Sequence, residues 1–458
     1  MHHLYIDIME LNTGSNIKKR EKKGTFFSII SIVIAIMLIF WDILLEYPPA
    51  LNNTIGFLSI LTSVWLVWIS RYNIGLFLVM IFIAYTNYSI VCAVYFYPEI
   101  RPEYIYCQFS EPDSYGIGII CIFIFMVATL FFNRKIMFCP KRIACFNIEN
   151  VEYKRLIAAG APIVYAIIFG CSFSMGNGER GATTALNEYR TIIAIIGCYY
   201  AGARSIYKYV WTLIIGVTSV LVLLSGNRVD MFGSIIALII FWYGKFINYK
   251  KILIMFPFVV VLLAAVGFCR SDFSFDNLGL KNALSSIFEE KLTYEGAVWG
   301  YMPSLAVIEL TDMVPEEEKK ELLLNHLSYI FTLGAAGKDR ADLSTWSRDY
   351  YFHVWGFISP IYFYFWFLYL GPVIYALLVN FYSQIYQKMI HIPPKTFWQR
   401  AKYILSIYFV CNVARWYAYG PMALLRGMFV CFVIFSTIWG SVFMLEMCTH
   451  KKQGDILI

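Results

Sequence analysis

The chain has 458 residues, of which 59% are hydrophobic and 15% are charged, and its mean hydropathy is +0.63. Because soluble domains carry about 25% charged residues, this composition excludes a soluble globular protein and predicts an integral membrane protein. The formal net charge of +7 comes from basic residues that cluster at the ends of apolar segments. It therefore indicates membrane topology, and we expect no binding of nucleic acid.

Apolar segments of membrane-spanning length recur along the whole chain. They predict an all-α fold with about twelve transmembrane helices, since about 20 apolar residues cross a bilayer as a helix. The predicted spans, in chain order, lie at about 26–45, 54–70, 74–97, 115–132, 156–173, 191–203, 209–224, 229–246, 252–268, within 350–382, at 403–419 and at 426–447.

The loops between these segments predict the topology. Residues 1–25 and 448–458 carry lysines and arginines and are interpreted as cytoplasmic tails, because basic residues favour the inner side. Residues 26–447 then form a single transmembrane domain. Its one long hydrophilic stretch, 269–347, is predicted to be an outer loop.

Isolated arginines, without lysine, lie at the predicted outer ends of the helices. A guanidinium presents a planar fork of donors that suits a phosphate or diphosphate, and a charge at membrane depth usually faces a cavity. The alternative is that each arginine simply extends to the lipid headgroups. The set consists of Arg180, Arg190, Arg228, Arg348, Arg415 and Arg426.

A second candidate feature lies just before the tenth predicted span. Asp349 and His353 are four residues apart, so on a helix they share one face. A carboxylate can hold an imidazole in one tautomer, which makes His353 a candidate general base. The alternative is a histidine that belongs to the aromatic belt at the membrane interface.

The predicted outer loop carries a third candidate feature, in which Glu295 lies close to Trp299 and Tyr301. Aromatic faces beside a carboxylate suit sugar rings, and they suit equally an amphipathic helix on the membrane surface. The chain has no Walker loop, GxGxxG, HExxH or zinc-type Cys/His spacing. We therefore expect no nucleotide chemistry, no metal and no cofactor.

Three motifs together resemble the oligosaccharide repeat-unit polymerases of the Wzy type. They are 225–228 (SGNR) at a helix–helix turn, 349–356 (DYYFHVWG) entering a span, and Arg426-Gly427 between the last two spans. The resemblance covers roughly 179–440. The chain departs from the family pattern at 333–337 and 356–360, where expected glycines are reduced or replaced.

The resemblance implies a multi-pass enzyme of the bacterial inner membrane that builds surface polysaccharide, such as the O-antigen of lipopolysaccharide or a capsule. Its substrates would be oligosaccharides linked to undecaprenyl diphosphate, within the membrane lipids, and a chain-length regulator would be a possible partner. The enzyme would be a metal-independent glycosyltransferase. Arg190, Arg228, Arg415 and Arg426 would hold the diphosphate, and His353 or Asp230 would be the base.

Other functions remain open from the sequence. An O-antigen ligase uses the same lipid donor with a different acceptor. A flippase or transporter for lipid-linked oligosaccharides should show two-fold repeats and charges in the middle of several spans. A structural or interaction protein would not need arginines on one side only. The predicted position of the arginines at the outer helix ends favours an enzyme.

Overall fold

The structure is a computed structural model, and its description covers only part of the chain. The described residues are 33, 37, 60–68, 70–71, 73–95, 152–172, 186–202, 205–224, 231–244, 246–247, 249–268, 307, 310–311, 313–333, 343, 358–389 and 394–454.

Within these ranges the protein is all-helical and contains no strand. This agrees with the predicted fold class, while the count of twelve spans stays a prediction. A π-helical segment, Ile239–Tyr243, follows directly on the helix Phe232–Leu238. The helices are α1 Ile74–Tyr95, α2 Glu152–Ser172, α3 Leu186–Ala201, α4 Ser205–Leu224, α5 Phe232–Leu238, α6 Tyr249–Phe268, α7 Glu316–Ile330, α8 Ser359–Phe367, α9 Leu370–Met389, α10 Phe397–Tyr419 and α11 Met422–Gly454.

Helix α10 lies at the centre of the described bundle. It packs against α1, α3, α5, α8, α9 and α11, and residues such as Tyr408 and Phe409 on it are almost fully buried. At its start, Thr396 and Gln399 form a capping box that satisfies free backbone N–H groups. At its end, Gly420 has a φ of 87°, which favours glycine, and Pro421 cannot continue the helix.

The tenth predicted span, within 350–382, corresponds in its described part to two helices. Helix α8 ends at Phe367, and Leu368 adopts a positive φ of 49° before α9 begins. Any side chain at Gly371 would collide with the backbone of Phe363, so the two helices approach very closely at this break. The stretch is apolar throughout, so hydropathy does not reveal the break, although Gly371-Pro372 at the start of α9 is a local signal for it.

Two helical segments in the described ranges are long and apolar enough to cross a bilayer, Arg155–Ser172 and Met422–Met447. Helix α4 carries exposed apolar side chains at helical spacing, among them Ile206, Leu213 and Val217. In a membrane protein such a face contacts the lipid chains. The mean hydropathy of the chain and these outward apolar faces both agree with membrane insertion.

Helix α7 lies within the predicted outer loop and packs against α11. It buries Leu322, His326 and Tyr329 on one face. Its first turn is acidic and solvated. There Lys319 donates to Glu316 at 2.9 Å and holds the pKa of that carboxyl below its usual value.

The two ends of the bundle differ in their basic residues. The first turns of α3 and α11 and the last turns of α10 meet at one end, which we call the Arg426 end. The opposite end carries Lys208, 4.5 Å from the Tyr243 ring, and Arg400, 4.5 Å from the Trp439 ring. The predicted site residues that the structure describes all lie on the helix turns of the Arg426 end.

Candidate active site

Arg426 lies near the start of α11 and is only 1% exposed. Its Nη1 donates to Glu188 Oε2 at 3.0 Å, and its Nε donates to the Thr332 carbonyl at 3.4 Å. Its guanidinium carbon lies 4.9 Å from the centre of the Tyr329 ring. Its Nη2 is buried and has no hydrogen-bond partner among the described residues.

The environment of Arg426 is unusual for a snorkelling arginine. Burying a charge is costly unless it is paired, and a guanidinium that only served the lipid headgroups would extend into them. Here the side chain turns inward, onto Glu188 of α3 and the end of α7. Because one donor remains unused in a buried position, the arrangement can accept one more hydrogen-bond acceptor, such as an anionic oxygen.

The end of α7 forms one wall around this arginine. The Tyr189 hydroxyl donates to the Leu333 carbonyl, and the Phe331 ring meets the Phe429 ring edge-on, with the ring centres 5.3 Å apart. The segment 329–333 is thus attached to both α3 and α11. It brings the Thr332 carbonyl and the Tyr329 ring onto Arg426.

Arg190 belongs to a neighbouring but different environment. Residues two apart on a helix point about 200° apart, so Arg190 faces away from Glu188. It is 3% exposed, its Nη1 lies 3.8 Å from the Met231 sulfur, and its guanidinium carbon lies 5.3 Å from the Phe169 ring. The guanidinium therefore lies between α2 and the start of α5.

Arg415 lies in the last turns of α10 and is partly exposed. Its guanidinium carbon lies 4.7 Å from the ring of the adjacent Trp416. Arg415 lies seven residues after Tyr408 on α10, so the two share one face of that helix. Gly427, the neighbour of Arg426, packs against the Tyr408 hydroxyl.

The structure brings Arg415 and Arg426 to one region of the bundle, around Tyr408, and leaves Arg190 on the other face of α3. The remaining predicted site residues lie outside the described residues, and their roles stay predictions. They are Arg180, Arg228, Asp230, Glu295, Trp299, Tyr301, Arg348 and His353.

The sequence assigned no role to three contributors to this site, Glu188, Tyr329 and Thr332, although Glu188 lies in the polar segment just before the sixth predicted span. The position of Glu188 was a usable signal. It lies in the first turn of a helix, where acidic residues are favoured, and two residues before a candidate arginine, so it can pair with another cation. Tyr329 and Thr332 carried no comparable signal. They contribute a ring face and a backbone carbonyl from a segment distant in sequence.

Comparison with known proteins gives one family match, over part of the chain. A family model described as O-antigen polysaccharide polymerase Wzy matches residues 179–305, a segment that contains Glu188 and Arg190. The match confirms the resemblance proposed from the sequence and supports repeat-unit polymerisation in general. No curated protein and no solved structure matches the chain.

Proposed function

We propose that this chain, a membrane protein whose resemblance to the Wzy-type O-antigen polymerases is supported by the match over 179–305, joins lipid-linked repeat units into long polysaccharide. The donor is a growing glycan on undecaprenyl diphosphate, and the acceptor is the terminal sugar of one lipid-linked repeat unit. The reaction takes place at the Arg426 end, on the outer face of the bacterial inner membrane.

The observation that carries this proposal is the buried guanidinium of Arg426 with an unused donor at Nη2. In the transfer, the bond between the donor sugar and the diphosphate breaks, and negative charge develops on the leaving phosphate. A donor that is already positioned stabilises that charge without reorganising at the moment of reaction. The diphosphate therefore binds where Nη2 is available.

Arg415, which is partly exposed in the last turns of α10 at the same end of the bundle, supplies further positive charge to the diphosphate. Arg190 faces away from Glu188, toward Met231 and Phe169, so its part in holding the diphosphate stays a prediction. Their guanidinium groups take the role that a metal ion plays in many other glycosyl transfers. Arg180, Arg228 and Arg348 lie outside the described residues, and their contribution to diphosphate binding stays a prediction from the sequence.

The bond changes balance in a single transfer. The acceptor hydroxyl oxygen attacks the anomeric carbon of the donor sugar, its proton goes to His353 or Asp230, and undecaprenyl diphosphate leaves. Glu295, Trp299 and Tyr301 hold the sugar rings in the outer loop. A chain-length regulator is the partner that this activity calls for.

Deletion of the gene, followed by a gel of surface glycan, separates this function from its rivals. Single repeat units on the lipid core indicate a lost polymerase. Loss of all core-linked glycan with intact lipid-linked polymer indicates a lost ligase. Accumulation of lipid-linked units on the cytoplasmic face indicates a lost flippase.

The Arg426→Lys variant tests the site itself. Lysine keeps the positive charge for Glu188 but has no fork, so we expect long-chain glycan to fall by about 100-fold or more while the protein level stays normal. Arg155→Lys is the matched control, because Arg155 is exposed at the start of α2. Normal long-chain glycan in Arg426→Lys would contradict the assignment of this site.

A further inference from the structure

Glu188 is the one acidic side chain that the described residues place on the Arg426 guanidinium, 3.0 Å from Nη1. We infer that Glu188 is a positioning residue, which orients Arg426 so that Nη2 faces the diphosphate of the substrate. This inference rests on the proposed function. It assigns a role to a side chain of α3 that neither the motifs nor the arginine pattern singled out.

Three groups together fix the orientation of this guanidinium. The Glu188 carboxylate holds Nη1, the Thr332 carbonyl holds Nε, and the Tyr329 ring covers one face at 4.9 Å. A planar fork held at two of its nitrogens and on one face has no remaining rotation. The third nitrogen, Nη2, is therefore held in one orientation, and it is buried and meets no acceptor among the described residues.

A carboxylate is the suitable residue type for this position. A buried guanidinium attracts any acceptor within reach, and the strongest local acceptor decides its orientation. Glu188 is itself 16% exposed, against 1% for Arg426, so the carboxylate lies nearer the surface than the guanidinium that it holds. Without it, Arg426 would turn toward water or other carbonyls and Nη2 would no longer be held in place.

The same geometry argues against Glu188 as the general base. The carboxylate oxygen of Glu188 already accepts from the guanidinium at 3.0 Å, so it is engaged by Arg426 and is not directed at an acceptor hydroxyl. Its effect on the reaction passes through Arg426. The distinction matters, because glutamine can replace an orienting acceptor but cannot replace a base.

The test compares Glu188→Gln, which keeps an acceptor oxygen, with Glu188→Ala, which removes it. The purified full-length protein is titrated with a short-chain polyprenyl diphosphate, and binding is read from ligand-induced thermal stabilisation. We expect the half-saturating concentration to rise about 10- to 100-fold in Glu188→Ala. This is the range seen in metal sites when a group that orients a metal-binding side chain is removed. We expect Glu188→Gln to stay within a few-fold of the unchanged protein.

The polymerisation rate is measured in parallel on lipid-linked repeat units, well below the unfolding midpoint of each variant. A merely structural role would lower that midpoint but would leave the half-saturating concentration unchanged. Unchanged binding in Glu188→Ala would overturn the inference, and so would equal loss in both variants. If Glu188→Ala does not fold, Glu188→Asp replaces it, since the shorter side chain keeps the charge but withdraws the oxygen from Nη1.

These outcomes separate the inference from the proposed function. Loss of polymer in Arg426→Lys together with normal binding in Glu188→Ala rejects only the role of Glu188. Normal polymer in Arg426→Lys rejects the site, and the role of Glu188 with it. Rescue by glutamine, together with loss in Arg426→Lys, supports both.

Discussion

Gly427, the residue after Arg426, lies in a very close contact between α10 and α11. A side chain there would collide with the hydroxyl of Tyr408, and its Cβ would lie 2.7 Å from the Tyr408 ring carbon Cζ. The absence of a side chain is therefore what allows α11 to bring Arg426 against α3 and α7. The glycine thus sets the distance between α10 and α11, and in the proposed function the neighbouring Arg426 binds the diphosphate.

We expect Gly427→Ala to destabilise the protein by about 1–3 kcal/mol, the usual cost of overpacking a tight contact. The unfolding midpoint in detergent measures this effect. Gly440→Ala, on the same helix with nothing within 4 Å of the added Cβ, is the matched control and should be neutral. Partial rescue of Gly427→Ala by Tyr408→Phe would identify the hydroxyl as the colliding group, and equal stability of the two alanine variants would contradict the contact.

The sequence predicted part of this site. Arg426, Arg415 and Arg190 stood out because arginines at predicted outer helix ends are selective for anions, and all three lie on turns of the Arg426 end. The predicted span began at residue 191, which left both Glu188 and Arg190 outside the helix. The pattern therefore could not show that the two residues lie on one helix and face opposite sides of it. Nor could it show a backbone carbonyl as a partner, since every residue has one.

Helix α7 connects the predicted outer loop to the described helix bundle. Its buried His326 places Nδ1 2.9 Å from the hydroxyl of Tyr362 on α8, and its ring contacts those of Tyr362 and Trp366. Three residues later Tyr329 meets Arg426. The position of the site wall therefore depends on how firmly α7 is attached to α8.

We expect His326→Ala to loosen this attachment, with a loss of about 1–3 kcal/mol from the vacated buried space and the lost hydrogen bond. Because Tyr329 and Thr332 move with α7, the surface glycan should also become shorter. The unfolding midpoint and a glycan gel measure the two effects. Ser328→Ala, at an exposed position of the same helix, should change neither; a lower midpoint with normal glycan would show that α7 does not support Arg426.

The helices themselves were predictable to different degrees. The ends of α10 follow from local chemistry, a threonine cap at 396 and the Gly420-Pro421 pair. The predicted spans at 403–419 and 426–447 leave their break at this pair but start the first of the two helices six residues late. The division into α8 and α9 did not follow from hydropathy, because a break inside an apolar stretch is set by packing. The close approach at Gly371 is such a packing feature.

At the scale of the whole molecule, the two ends of the bundle differ in their basic residues. Lysines such as Lys208 and Lys402 lie on turns of the end opposite Arg426, which is the distribution expected of a cytoplasmic side. The Arg426 end then faces outward. This orientation and the number of spans remain predictions from the sequence.

Insertion of reporter domains tests the orientation. Alkaline phosphatase inserted after Leu333 should be active, because the enzyme folds only outside the cytoplasm. A green fluorescent protein inserted after Pro394 should fluoresce, because it folds inside. If both reporters showed the reverse behaviour, the topology would be opposite to the predicted one. The Arg426 end would then lie in the cytoplasm, where the proposed reaction would not occur.

The pairing of Arg426 with Glu188 joins residues 238 positions apart in the chain. During synthesis Glu188 enters the membrane long before Arg426 is translated, and its guanidinium partner arrives only with α11. The Arg426–Glu188 pair therefore forms only after α11 has been synthesised. In the proposed function, a nascent chain that has not yet reached α11 cannot hold a lipid diphosphate at this position, so substrate would not be captured before the helices are assembled.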